Sequence, residues 1–343
     1  MREEQDSPSS YPEGGFGWVV ILACFLIHLT FYGIIQTWGV YYSAYVNEYS
    51  AGQVSPTTLA FVGTLQPAVR NLLTAGTGIV TNMLGFRTML LSGTIIFCLG
   101  LLLASFVTNP YLLLPTQGAM VGLGGAFLYT PVLAAPSHWF LKRRAFVAGI
   151  AISGSGIGGL FWAPATERLI YHLGIPWCLR IHAAILLVTG LITSFMVKPR
   201  FPAVKISMFR LETLKDACRP PFLLLTLITF VVFLPPHIPL YLISSFAIDV
   251  GATPPPGAIA VGLISGAQAL ARLIFGAMAD WVGYANTLAF TILMTSLTCF
   301  AIWIPANTYP LLLVFSWFFG FFSGGILSVS ITLIPKIYGR TFE

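Results

Sequence analysis

Arg272 stands near the middle of residues 257–283, GAIAVGLISGAQALARLIFGAMADWVG, a stretch otherwise long and apolar enough to cross a bilayer. An isolated guanidinium at the centre of a membrane helix costs at least ~2.5 to 3.5 kcal/mol, so such a residue faces protein or a water-filled passage and marks a substrate or ion path. Ser265, Gln268, Arg272 and Gly276 recur at intervals of three and four, which puts one polar, small-residue stripe along the helix. The competing reading is an arginine that snorkels to the headgroups or pairs with a neighbouring helix for stability. It demands a long reach, since Arg272 lies roughly 12 Å from Asp280 at ~1.5 Å per residue.

A second guanidinium, Arg70, shares a helix face with Gly63, Gln66, Thr74 and Thr77, and divides evenly between substrate contact and hydrogen bonding between helices. His28, Tyr32 and Gln36, spaced by four, form a further stripe in the first apolar run. In Pro235-Pro236-His237-Ile238-Pro239 three prolines must break the helix, and freed carbonyls at membrane depth are tolerated only beside a cavity or within protein. His237 there is a site element or part of a structural kink. The eleven acidic residues, Glu167 and Asp280 included, fall in tails, loops or helix ends, so no carboxylate is expected at mid-membrane to neutralise the two arginines. A bound carboxylate would complete an arginine pair with bidentate geometry. Coupling to protons would then use a histidine such as His28 or His237, or be absent.

These side chains need long apolar elements to hold them. With 57% hydrophobic and 8% charged residues, the 343-residue chain departs from soluble domains, whose charged share is about a quarter. Apolar runs appear at 17–42, 57–80, 88–107, 111–135, 144–167, 176–197, 221–247, 257–280, 285–304 and 309–334, each a candidate spanning helix. Thirteen of the 17 basic residues lie in the N-terminus and the even loops, so the N-terminus and the 198–219 segment are expected on the cytoplasmic side. Topology thereby accounts for the net charge of +6, and no nucleic-acid partner is expected. The five scattered cysteines outline neither a disulfide framework nor a metal site. Small residues at Gly149, Ser153, Gly154, Ser155, Gly156, Gly158 and Gly159 form a close-packing surface, and no Lys-Ser/Thr follows to make a phosphate loop.

A repeat divides the chain. Gly78-x3-Asn82-x2-Gly85-x-Arg87 after the second run is matched by Gly276-x3-Asp280-x2-Gly283 after the eighth, and Gly124-Gly125 by Gly324-Gly325, at offsets of 198 and 200. The expected organisation is a tail at 1–16, a six-helix half at 17–197, a central loop at 198–219 and a second half at 220–343 holding four helices. Ten helices rather than twelve points to a chain truncated at its C-terminus.

The chain resembles the monocarboxylate porter family of the major facilitator superfamily. Glu13 to Trp18, EGGFGW, is similar to its first signature, and Trp139-Phe140-Leu141-Lys142-Arg143-Arg144 with Ala148-Gly149 and Gly154-Ser155 to its second. Ala271-Arg272 extends the likeness into the second half. The resemblance implies an all-α membrane fold of two pseudo-symmetric helical halves, with helix two at their interface and helix one lining the cavity. In proton-coupled members a lysine in helix one and an aspartate one turn before the helix-eight arginine carry coupling; Gln36 and Gln268 stand there. Lys142, Arg143 and Arg144 are topology determinants, or a latch with acidic loop residues such as Asp280.

The expected function is carriage of a small organic anion by alternating access, with Arg272 as main contact and Gln268, Gln36, Tyr32, His28, Arg70 and His237 around it. A larger or neutral metabolite without proton coupling, or a non-transporting sensor or inactive fragment, are the alternatives. A membrane enzyme fares poorly because no catalytic dyad or ligand set is present. No cofactor is expected; the partners are the substrate, membrane lipids and an ancillary membrane protein, and the membrane is the plasma membrane.

Overall fold

A computed structural model describes residues 14–49, 54–140, 144–198, 237–251 and 256–339, with positions 200, 223, 227 and 231. Lys142, Arg143, Pro235, Pro236, most of the 1–16 tail and all but positions 198 and 200 of the 198–219 loop lie outside these residues, as do the side chains of Arg144, His237 and Asp280.

The described residues are almost wholly helical, as expected of a chain whose backbone must satisfy its own hydrogen bonds in lipid. We number the helices α1 (Gly17–Glu48), α2 (Pro56–Leu84), α3 (Phe86–Ala104), α4 (Pro110–His138), α5 (144–173), α6 (175–196), α7 (His237–Asp249), α8 (Pro256–Val282), α9 (Tyr284–Trp303) and α10 (Tyr309–Gly339). Helices α5 and α6 run into one another, divided at Gly174, whose φ of 79° is non-helical. Among the described residues seven segments are long and apolar enough to cross a membrane, the joined α5 and α6 counting as one. Helix α2, 29 residues long, is not among the seven. It carries Gln66, Arg70, Asn71 and six threonines, a cost in hydropathy that its position beside α1 and α4 explains.

Serine and threonine hydroxyls inside the helices bond back to carbonyls three or four residues earlier, as Thr81 does to Thr77 and Thr295 to Thr291, so they need no water. The first half is built on one core from α1 to α6, around Phe31, Phe97, Leu90 and Leu128. The second uses two smaller clusters, one around Ile264, Phe315 and Phe319 and one around Phe275 and Val329.

The repeat read from the sequence has a backbone counterpart. Gly85 ends α2 at φ 82° and Gly283 ends α8 at φ 97°. At both the glycine N–H donates to the carbonyl four residues back, at 2.8 and 3.1 Å, and its own carbonyl accepts from four residues ahead, at 3.2 and 3.1 Å. Only glycine takes such a φ and ψ without strain, so the motif spacing encodes the same tight reversal in each half. The glycine pairs pack in crossed order: Gly125 and Gly324 lie against Arg70 of α2 and Gln268 of α8, while Gly124 lies against α3 and Gly325 against Phe275 of α8 and Thr291 of α9.

Candidate functional site

Helix α5 provides the surface on which the halves meet. Its residues Gly156, Gly159, Leu160, Ala163, Glu167 and Ile170 recur at helical spacing. The first three pack on α8, and Ala163 and Ile170 join the second-half cluster. A methyl group added at Gly156 would lie 2.5 Å from the carbonyl oxygen of Ser265, and one at Gly159 would strike the Ser265 side chain. On its other side α5 is as close to α1, with Gly158 against Gly33 and Leu29. The small-residue stretch is therefore a two-sided packing surface, as its spacing predicts. Further contacts join α1 and α2 to α7: Ser43 and Ser245 share a 3.0 Å hydrogen bond, and the Tyr241 hydroxyl donates to the carbonyl of Gly63 at 3.4 Å.

Arg272 lies where this seam ends. Its Nη1 donates to the carbonyl oxygen of Ile152 at 2.9 Å and to the Ser155 hydroxyl, both on α5. The residue is 6% exposed, and its Nε, fully buried, has no hydrogen-bond partner. Beyond it the helices part: a methyl at Gly149 would touch only Leu273, at 3.9 Å, and one at Gly276 would touch nothing within 4 Å. A snorkelling arginine does not fit this burial, whereas the two bonds to α5 are those of an arginine paired with a neighbouring helix, the other half of that reading. No carboxylate pairs with it among the described residues, so its two bonds are to neutral acceptors and the site keeps a net positive charge.

The other predicted residues divide by what holds them. Gln36 approaches Arg272 through a shared neighbour, its Nε2 donating to the carbonyl of Ser155 at 2.7 Å. Gln268, one turn from Arg272, is buried and reaches toward the Ser323 hydroxyl of α10 at 3.4 Å. His28 is 3% exposed and donates from Nδ1 to the carbonyl of Cys24 at 2.9 Å, so part of its hydrogen bonding is spent inside α1. Tyr32 donates across to the carbonyl of Gly125 on α4 at 3.1 Å. Helix α1 is locally widened to a π-helical turn over His28–Tyr32, a distortion frequent at functional sites. Arg70 is half-buried and makes no hydrogen bond to the second half among the described residues. Its Nε donates to Asn71 at 3.3 Å, and its guanidinium lies 5.7 Å from the ring centroid of Tyr32 and 5.5 Å from that of Tyr129. His237 begins α7. Of the motif residues, Arg87 lies exposed over the ring of Phe195 at 3.9 Å.

Two residues were not legible beforehand. Tyr129 on α4 is a lone tyrosine in an apolar run with no periodic company, and only its contacts with Arg70 and Tyr32 mark it. Glu167 is the second. The apolar run ends there, but the helix continues for two turns to Gly174, so Glu167 lies within α5 rather than at its end. Its Oε2 is buried without a partner.

The two signature stretches also find each other. Gly17 lies against Trp139 and Phe140, with ring contacts of 5.6 Å between Phe16 and Trp139 and 5.2 Å between Trp18 and Phe140. A side chain at Gly17 would displace the Phe140 ring.

A profile of the Major Facilitator Superfamily matches residues 20–342. Among curated proteins, "MFS-type transporter 1" of Ophiocordyceps sp. is 29% identical over 98% of this chain and 77% of its own length. "MFS transporter asaE" of Aspergillus flavus is 28% identical over 97% of this chain and 76% of its own length. "Fujikurins efflux protein" of Gibberella fujikuroi is 30% identical over 95% of this chain and 72% of its own length.

Proposed function

This chain belongs to the Major Facilitator Superfamily, and we propose that within it the chain is a porter of the monocarboxylate type, moving an organic anion by alternating access. Membership makes it a multi-pass membrane transporter and not an enzyme. The anionic reading rests on one observation: Arg272 is buried at the end of the α5–α8 seam with its Nε unpartnered and no carboxylate beside it. A carboxylate arriving from the widening gap would take the free edge of the guanidinium and supply the missing charge, which strengthens a hydrogen bond about twofold. Gln36 and Gln268 shape the pocket around that anion, with His28 and Tyr32 on the facing wall.

The moving parts in this reading are the halves at 17–197 and 220–343. The glycine-rich α5 surface against α8 is smooth enough to slide, and Lys142, Arg143 and Arg144 meet the acidic end of α8 when the gap closes. The distribution of lysine and arginine supports a cytoplasmic N-terminus, and we place the protein in the plasma membrane.

A second reading is a carrier of a larger metabolite. It is favoured by the likeness to a relative named as an efflux protein for fujikurins, and by glutamines at positions 36 and 268. Proteoliposomes holding the purified chain separate the two. Counterflow of labelled benzoate or lactate, lost in Arg272→Gln with the protein still monodisperse, is the expected result. Binding without counterflow would leave a sensor, and counterflow confined to uncharged compounds would remove the anionic reading.

A further inference from the structure

Arg70 is the other guanidinium within the bundle, and its surroundings are aromatic. The rings of Tyr32 and Tyr129 stand 5.7 Å apart and tilted at 61°, and the Arg70 guanidinium lies within 6 Å of both. Cation–π contact of this kind fixes the plane of the guanidinium without using its N–H donors. The one hydrogen bond Arg70 makes among the described residues is from Nε, to Asn71, so its terminal amino groups are unspent. The Tyr129 hydroxyl likewise has no hydrogen-bond partner among the described residues, in contrast to that of Tyr32, which is bound to Gly125.

The repeat relates this cluster to Arg272. The offset of 198 that carries Gly85 onto Gly283 also carries Arg70 onto Gln268, one helical turn from Arg272. One guanidinium thus comes from each half, on equivalent helices. The two face neighbouring turns of α1: the Arg70 guanidinium lies 5.7 Å from the Tyr32 ring centroid, and Gln36, one turn on, donates to the backbone of Ser155, whose hydroxyl accepts from Arg272. No carboxylate of the described residues pairs with either, so a ligand with a single carboxylate leaves one positive pole unmatched.

We propose that Arg70 and Tyr129 form a second anchoring pole, and that the compound carried is flat and conjugated, with acceptor groups at both ends. Arg272 takes one acceptor group, Arg70 the other, and the Tyr129 ring lies against the plane between them, with Tyr32 edge-on to it. Tyr129 is a binding residue in this scheme, its hydroxyl donating to the same acceptor group as Arg70. The inference rests on the anion reading above and narrows it away from small aliphatic monocarboxylates.

The test is binding to the full chain in nanodiscs by calorimetry, with four probes: terephthalate, benzoate, trans-1,4-cyclohexanedicarboxylate and lactate. Terephthalate is expected to bind at least tenfold tighter than benzoate, which lacks the second acceptor, and than the cyclohexane compound, which lacks the plane. Arg70→Gln should bring terephthalate down to benzoate's affinity. Arg70→Lys, which keeps the charge, should restore only part of the difference. Tyr129→Leu should erase the preference for terephthalate over its saturated counterpart. Equal binding of terephthalate and benzoate, with both lost in Arg272→Gln, would overturn the second pole and leave the anion reading standing. No binding of any carboxylate would overturn both.

Discussion

The carbonyl oxygen of Ile152 on α5 accepts a hydrogen bond from Nη1 of Arg272 on α8 at 2.9 Å, across the boundary between the two halves. The same nitrogen also donates to Ser155, and Gln36 donates to the backbone of that residue at 2.7 Å. Three helices therefore converge on one turn of α5, and the guanidinium both ties the halves together and offers an edge to a ligand. A lysine in its place has charge but no planar fork, and cannot hold the α5 turn while presenting a second pair of donors. Arg272→Lys is expected to melt within about 2 kcal/mol of the parent yet to lose at least tenfold in apparent affinity for benzoate. Concentration-dependent counterflow and a thermal melt check this, and parental affinity would show that the fork is not used.

The seam itself can be tested at Gly156, where an added Cβ would sit 2.5 Å from the Ser265 carbonyl oxygen. Backbone cannot yield as a side-chain tip can, so Gly156→Val should cost about 1 to 3 kcal/mol or force the helices apart. Transport is expected to vanish while Gly76→Val, at a position with nothing within 4 Å, keeps it. Similar flux from the two variants would mean that α5 and α8 do not stay in contact through the cycle.

Glu167 carries a buried carboxyl oxygen with no partner, in the stripe of α5 that faces the second half. Removing an unsatisfied polar group in favour of an apolar one of similar shape recovers its desolvation cost, about 1 to 3 kcal/mol. Glu167→Leu should therefore raise the melting temperature in detergent. A fall would show that the carboxyl is matched in the membrane by a group absent from these contacts.

Gly85 and Gly283 make the same reversal at φ 82° and 97°. Alanine at either position is strained by roughly 1 to 3 kcal/mol, and the two penalties should agree within about 1 kcal/mol because the hydrogen bonding is the same. Chemical denaturation of Gly85→Ala and Gly283→Ala measures both. Widely unequal values would break the equivalence of the two reversals.

Helix ends were not legible to the residue, since α1 runs to Glu48 past an apolar run ending at 42 and α5 to 173 past one ending at 167. Membrane residence, the all-helical build and the paired glycine reversals could be read from the chain, because hydropathy and the placement of proline and glycine act over a few residues. So could the demand that Arg272 find a polar setting. Its partners could not, since Ile152 and Ser155 stand 120 and 117 residues away and resemble any other members of a glycine and serine stretch. The acidic side chains illustrate the same limit: the apolar run ends at Glu167, yet the helix does not, and packing of α5 on the second half took one oxygen out of contact with solvent.

What the sequence determined alone was the set of elements and the cost of a charge within them, both properties of local composition. Only the tertiary structure decided which helix answered that charge, that Tyr129 joins Tyr32 beside Arg70, and that Gly17 of one signature packs on Phe140 of the other. Those outcomes depend on contacts between residues far apart along the chain, and many apolar helix faces of similar pattern could have packed in their place.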